Sequence, residues 1–322
     1  MIFAGNHQLA ILDALLIICT CRKQPSTLTS AFIFKSPLLA KMLSLLKLMP
    51  VYRIRDGVSS LQKNEEIFSR CDRLLAKGEA VSIFPEANHH AVRKLRTLTK
   101  GISRLAFHAM DSGLLPPGLV IVPVGINYSN QYNFNSRVLV NYGLPLEVGR
   151  YMELYRSNPQ QGMTELKEKV AESIRPLIID IRSDVHYSSI EFIRQHFREE
   201  TAVLLQYGRK TAVEEFIVDK TLIDILDTVE EKDPEALNKL QESVNLYRHD
   251  LKEKNLRDWV IRKGRFPLPG LFAGGIFQLL FLPFFLAGTV LNAPFYFFHK
   301  IFTRTINDLQ FLPGVRFAIS VL

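Results

Sequence analysis

Thirty-three consecutive residues, 266–298, contain no Asp, Glu, Lys or Arg. Only Gln278 and Asn292 are strongly polar within that run. A helix that crosses a bilayer needs about 20 apolar residues, so one span fits, and a run this long exceeds ordinary core helices. Pro283 and Pro294 oppose a single straight helix. Arg262, Lys263 and Arg265 precede the run, and Lys300 and Arg304 follow it. Positive flanks favour the cytoplasmic side, so both ends are drawn to it and a hairpin competes with a simple span. The remaining alternative is a buried pair of core helices. We expect residues 263–322 to form a hydrophobic, membrane-associated segment.

The net charge of +8 points to nucleic acid, an anionic membrane surface or an anionic substrate. Nucleic acid is disfavoured, because the chain has no long Lys/Arg run, no zinc-finger spacing and no interleaving of basic and aromatic residues. The cysteines are Cys19, Cys21 and Cys71, an odd number without a second pair to hold zinc. They read as buried, reduced thiols in a cytosol-facing compartment. No basic n-region and apolar stretch mark a signal peptide. The chain starts and stops in apolar runs, which suggests elements cut through and a fragment of a longer chain.

Residues 1–150 alternate short apolar runs with helical periodicity. Leu61, Ile67, Phe68, Cys71, Leu74 and Leu75 fall on one face of a helix, with Gly78 placed as its C-cap. Ala80–Phe84 reads as a short buried strand stopped by Pro85, and Gly101–Ser112 as a helix closed by Gly113. Residues 119–122 and 138–140 are strands by β-branched content. Strands alternating with helices predict an α/β fold, a mixed sheet flanked by helices. Residues 151–262 are dense in charge and lack strand signals, which predicts solvated amphipathic helices.

Four short segments carry the chemistry. The first is Asn6-His7-Gln8-Leu9-Ala10-Ile11-Leu12-Asp13. An imidazole there can take a proton from an alcohol, while the carboxylate fixes its tautomer and stabilises the imidazolium. A bound hydroxyl can then attack a thioester directly, without a serine nucleophile. Backbone N–H groups at the start of the following helix are candidate oxyanion donors. In the second, Arg53 and Arg55 alternate along an extended segment and so share one side. Their forked guanidinium groups suit phosphate. In the third, a strand runs into Pro85-Glu86, placing a carboxylate at the strand end where α/β folds build sites. Arg93, Lys94, Arg96 and Lys100 follow as a cluster fit for an anionic headgroup or a nucleotide phosphate. The fourth is Ile121-Val122-Pro123-Val124-Gly125-Ile126, a buried strand whose proline is expected at an edge or a strand end. His7, Asp13, His89 and His90 match no standard zinc spacing, and no metal is expected.

Taken in order, these segments resemble the glycerolipid acyltransferase family, the glycerol-3-phosphate and 1-acylglycerol-3-phosphate acyltransferases. That family has a His and Asp block, an Arg block, a Phe-Pro-Glu-Gly block and a Val-Pro block, and the resemblance covers about residues 2–147. It implies that His7 is the catalytic base and Asp13 the acid that orients it. Arg55, with Arg53 a close competitor, would help bind the acceptor phosphate. Glu86 is linked with acceptor binding, and Pro123 with structure or the acyl donor. Five residues separate His7 from Asp13 where four are usual, a spacing similar to that of a subset of related sequences. Ala87 stands where glycine is usual, and Asn88-His89 where Thr-Arg is common, so Arg93 or Lys94 would replace a phosphate-binding arginine.

The resemblance implies transfer of a fatty acyl group from acyl-CoA or acyl-carrier protein to glycerol-3-phosphate or lysophosphatidate in phospholipid synthesis. No cofactor is implied, and the partners are membrane lipids, the acceptor and the acyl donor. The expected organisation is an acyltransferase domain at 1–150, a charged helical region at 151–262 and the membrane segment at 263–322, with the catalytic part facing the cytoplasm. The competing readings are a non-catalytic lipid- or membrane-binding protein that keeps the fold, and a metal-dependent hydrolase.

Overall fold

The computed structural model describes all residues except 35–36, 53–62, 87–91, 116–117, 132–135, 209–210, 265–267, 305–311 and 322. Arg53, Arg55, Ala87, Asn88, His89 and His90 therefore lie outside the described residues. The chain forms two compact units, Met1–Asp180 and Ile181–Leu322.

The first unit is built on a seven-stranded mixed sheet, as its alternating pattern predicts. Its elements begin β1 (Ile2–Gly5), α1 (Ile11–Thr20), β2 (Ser26–Ser30), α2 (Pro37–Leu45), β3 (Leu48–Val51) and α3 (Lys63–Ala76). They continue with β4 (Val81–Ile83), α4 (Gly101–Asp111), β5 (Val120–Tyr128), β6 (Val138–Tyr142) and β7 (Leu146–Glu147). Helices α5 (Met152–Ser157) and α6 (Pro159–Ile174) complete it, together with a short 3₁₀ turn at Arg175–Leu177. The strand order is β3-β2-β4-β1-β5-β6, with β7 also on β5. The first five strands of that order are parallel, and β6 and β7 run antiparallel to β5.

Side chains alternate across each strand, so the sheet feeds two cores. Ile2, Ala4, Val81, Ile83 and Ile121 pack with Cys71 and Leu75 of α3, the buried face of α4, and Leu166, Val170 and Ile174 of α6. Phe3, Val122, Val124, Ile126 and Tyr128 pack on the other face with Ala14 and Ile17 of α1 and Leu43 of α2. Helix α3 ends as its sequence predicts, with Gly78 in the left-handed region at φ 72°. Residues 151–180 thus close the core of the sheet unit. The carboxylate of Asp180 accepts from the Leu95 N–H at 2.7 Å and from Arg175 at 2.7 Å.

Pro123 departs from its expected place. It lies inside β5, paired with β1 on one side and flanked by β6 and β7 on the other. The physical reason is a break in the second partner. Within a strand a residue's nitrogen and carbonyl point the same way, and the Pro123 carbonyl accepts from the Gly143 N–H at 2.9 Å. The missing N–H of the proline therefore faces residues 143–145, between β6 and β7, where no ladder bond is required. Gly143 fits this corner because a Cβ there would sit 2.8 Å from the Pro123 ring.

Cys71 is buried, and burial beside Asp72 pushes its thiol up to about 12. Cys19 is instead exposed, because it lies on the outward side of the last turn of α1.

In the second unit the described residues form helices only. They are α7 (Tyr187–His196), α8 (Arg198–Leu204), α9 (Ala212–Lys232), α10 (Pro234–Glu253), α11 (Asp258–Lys263), α12 (Leu268–Thr303) and α13 (Leu312–Val321). Buried Arg194 joins three of them, bonding Glu191 on its own helix and Asp219 on α9 at 2.6 Å, while Arg198 of α8 reaches the same Asp219. Buried His186 is gripped by Glu230 at 2.8 Å and Asn238 at 3.0 Å. From Leu268 onward the charge-free run lies in a single helix, α12, which continues through Pro283 and Pro294 rather than folding into a hairpin. Residues Leu268–Pro294 are long and apolar enough to cross a membrane, and none of them is buried.

Candidate active site

Two adjacent parallel strands, β1 and β4, deliver their C-terminal ends to one place. His7 follows β1, and Glu86 follows β4. The backbone N–H of His7 donates to Glu86 Oε1 at 2.9 Å, and the N–H of Arg96 donates to Oε2 at 3.3 Å. Asn6 fastens the end of β1 to β5, with its side chain donating to the Ile126 carbonyl and accepting from the Ile126 N–H.

His7 Nδ1 lies 2.8 Å from Asp13 Oδ2. Asp13 is fully buried in the first turns of α1. Its Oδ2 also accepts from the backbone N–H groups of Gln8 at 2.7 Å and Leu9 at 2.8 Å, and its Oδ1 accepts from the Tyr128 hydroxyl at 2.6 Å. A carboxylate so bonded fixes the Nδ1–H tautomer and leaves Nε2 as the basic nitrogen. The imidazole stacks on Phe84, with centroids 4.6 Å apart. Nothing about the five-residue spacing prevents the pair from meeting. The intervening segment turns sharply at Ala10, which sits at φ 48° and ψ −118°.

Backbone amides between β1 and α1 are engaged within the site. Those of Gln8 and Leu9 hold Asp13, and that of His7 holds Glu86. These bonds fix the His7–Asp13 pair and tie it to Glu86.

Glu86 is buried, and burial pushes its carboxyl up to about 7, against the opposing pull of the His7 and Arg96 amides and the Arg96 charge. Arg93 is also buried, with its guanidinium donating to the carbonyls of Tyr128 at 2.8 Å and Ser129 at 3.3 Å. Lys94 is half-buried and Arg96 exposed on the same loop. Tyr128, Phe84 and Asn6 are site residues that the motif reading did not single out. Tyr128 ends the alternating row Val122, Val124, Ile126, and that alternation was the one signal that pointed it at α1.

The model of the acyltransferase family matches residues 1–127. Residues 1–127 thus form a domain similar to those of the acyltransferase family. The chain is 27% identical over 136 residues to glycerol-3-phosphate O-acyltransferase 2 of Saccharomyces cerevisiae, covering 42% of this chain and 18% of that protein. It is 30% identical over 102 residues to glycerol-3-phosphate O-acyltransferase 1 of the same yeast, covering 32% and 13%. An uncharacterized acyltransferase of Schizosaccharomyces pombe is 29% identical over 97 residues, covering 30% and 14%. The chain thus spans less than a fifth of each of these relatives. Every residue of the described site except Tyr128 falls within the family match.

Proposed function

We propose that the protein is a glycerolipid O-acyltransferase in which His7 is the general base. The observation that carries this reading is the 2.8 Å bond between His7 Nδ1 and a fully buried, four-times hydrogen-bonded Asp13, inside a domain that matches the acyltransferase family. His7 Nε2 takes the proton of a glycerol hydroxyl as that oxygen attacks the thioester carbonyl of acyl-CoA or acyl-carrier protein. The C–S bond then breaks, and the imidazolium returns that proton to the sulfur, which leaves as a thiol and frees the neutral base. Asp13 stabilises the cation formed between the two steps.

The acceptor is a glycerol phosphate. The names of the two yeast relatives favour glycerol-3-phosphate over lysophosphatidate. Lys94 and Arg96, beside Glu86, supply positive charge for its phosphate, with Arg53 and Arg55 as further candidates. The exposed apolar helix α12 anchors the protein in the membrane that receives the product, and its basic flanks favour a cytoplasmic site.

Purified protein is incubated with labelled acyl-CoA or acyl-carrier protein and each acceptor in turn. Transfer to glycerol-3-phosphate is expected, and its loss in His7→Ala with the fold retained. Transfer to neither acceptor, or undiminished transfer by His7→Ala, would overturn the reading.

A further inference from the structure

Asp13 has one oxygen to spare after it has gripped the histidine. Its Oδ2 serves His7 and two backbone amides, while Oδ1 accepts from a side chain 115 positions away, the Tyr128 hydroxyl. Tyr128 is buried at the last position of β5, on the face that packs against α1. Its own backbone is held from outside the strand. Arg93, buried in the loop after β4, donates to the carbonyls of Tyr128 and Ser129. That loop is pinned in turn by the Leu95 N–H on Asp180. A chain of contacts therefore runs from the loop bearing the third motif, through the tip of β5, to the carboxylate behind the base.

We infer that Tyr128 is a positioning residue for the His7–Asp13 pair, and that Arg93 acts by anchoring Tyr128 rather than by holding substrate. Two physical effects follow. A carboxylate fixed at both oxygens cannot rotate about its Cβ–Cγ bond, so the lone pair on Oδ2 stays aimed at Nδ1. A donor on Oδ1 also draws charge away from Oδ2 and moderates the bond to the imidazole. The phenol keeps its proton for this role, because burial and the Asp13 charge both push its ionisation upward. The catalytic meaning of this arrangement rests on His7 being the base, but the arrangement itself can be measured without turnover.

The experiment compares wild type, Tyr128→Phe, Asp13→Asn and the double variant. In protein carrying ¹⁵N-histidine, the His7 Nδ1–H resonance, assigned by its absence in His7→Ala, should move in Tyr128→Phe. It should not move further when the same change is made on Asp13→Asn. In the acyl-transfer assay, Tyr128→Phe should lower kcat about tenfold with KM unchanged, the loss expected for one hydrogen bond to a charged group felt in the transition state. Made on Asp13→Asn it should lower kcat by less than about twofold, since residues acting through one another are not additive. Arg93→Met should likewise lower kcat and leave the acceptor KM in place. An unmoved Nδ1–H resonance, or additive losses, would overturn the role of Tyr128. An acceptor KM that rises more than kcat falls would return Arg93 to substrate binding. Absence of transfer by wild type would sink the proposed function instead, with the resonance still deciding the inference.

Discussion

The main-chain N–H of His7 donates to Oε1 of Glu86 at 2.9 Å, so the carboxylate of the third motif holds the residue of the first. The other oxygen takes the Arg96 N–H, which ties the loop after β4 to the same group. Glu86 is thus a brace between two strand ends, whatever else it touches during turnover.

This brace predicts a pH effect on stability. An ordinary Glu titrates near 4.5, and Glu86 in the fold is pushed up to about 7 by burial. Between those values the folded state holds a proton that the unfolded chain has released, so stability falls as pH rises. The contribution is fully present below about 4.5 and gone above about 7, and its size is at most ~3 kcal/mol. Denaturation at pH 5 and pH 8 should show wild type losing more stability than Glu86→Gln over this interval. Other titrating groups cancel in the difference, and equal losses in the two proteins would refute the shift.

The local features of this site were legible in the sequence, and the long-range ones were not. The spacing of His7 and Asp13, the β4 strand ending before Pro85, and the Gly78 cap are each set within a few residues, and the fold keeps them. Tyr128 was not found, because its meaning depends on β5 lying next to β1, an adjacency created between residues 119 positions apart. The interior place of Pro123 was missed for the same reason, since only the break between β6 and β7 makes it tolerable. Helix α6 read as part of a charged region, because the buried stripe of Leu166, Val170 and Ile174 is narrow beside its polar face.

Asp13 should separate charge from architecture. Asp13→Asn keeps an oxygen for the Gln8 and Leu9 amides, removes the negative charge and turns the second oxygen into an NH2 group from which the Tyr128 hydroxyl can accept, so folding should survive while kcat falls by roughly 10³–10⁴. Asp13→Ala also strands two buried amides and the Tyr128 hydroxyl, and should lower stability by about 2 kcal/mol or more. Denaturant titrations alongside kcat would test this. Similar stability in the two variants would mean that the amides find other partners.

Ala10 turns the segment between His7 and Asp13 at a conformation suited to glycine, φ 48° and ψ −118°. Such positions cost about 1–3 kcal/mol for a residue with a Cβ. Ala10→Gly relieves the clash but adds unfolded-state entropy, so a net gain of about 1 kcal/mol is expected, and a branched residue such as Val should be worse than Ala. A Gly variant no more stable than wild type would show that the turn is unstrained. Activity should be retained, because Ala10 donates nothing to the pair.

Trp259 offers a direct test of the membrane segment. It is the one tryptophan in the chain, and it is 55% exposed on α11. Leu268, where α12 begins, lies nine residues further on, so even a fully extended connection places Trp259 within about 30 Å of it. Ile261 is also exposed, and Arg257 and Lys263 flank the pair with positive charge. Residues of this kind settle at the headgroup level of a bilayer. Reconstitution into anionic vesicles should therefore shift Trp259 emission to the blue, and lipids brominated near the headgroup should quench it more than lipids brominated near the chain ends. Protein that floats with the vesicles without quenching would place α11 away from the surface. Protein left in the aqueous fraction would show that α12 does not insert, and its exposed leucines and phenylalanines would then need a protein partner to cover them.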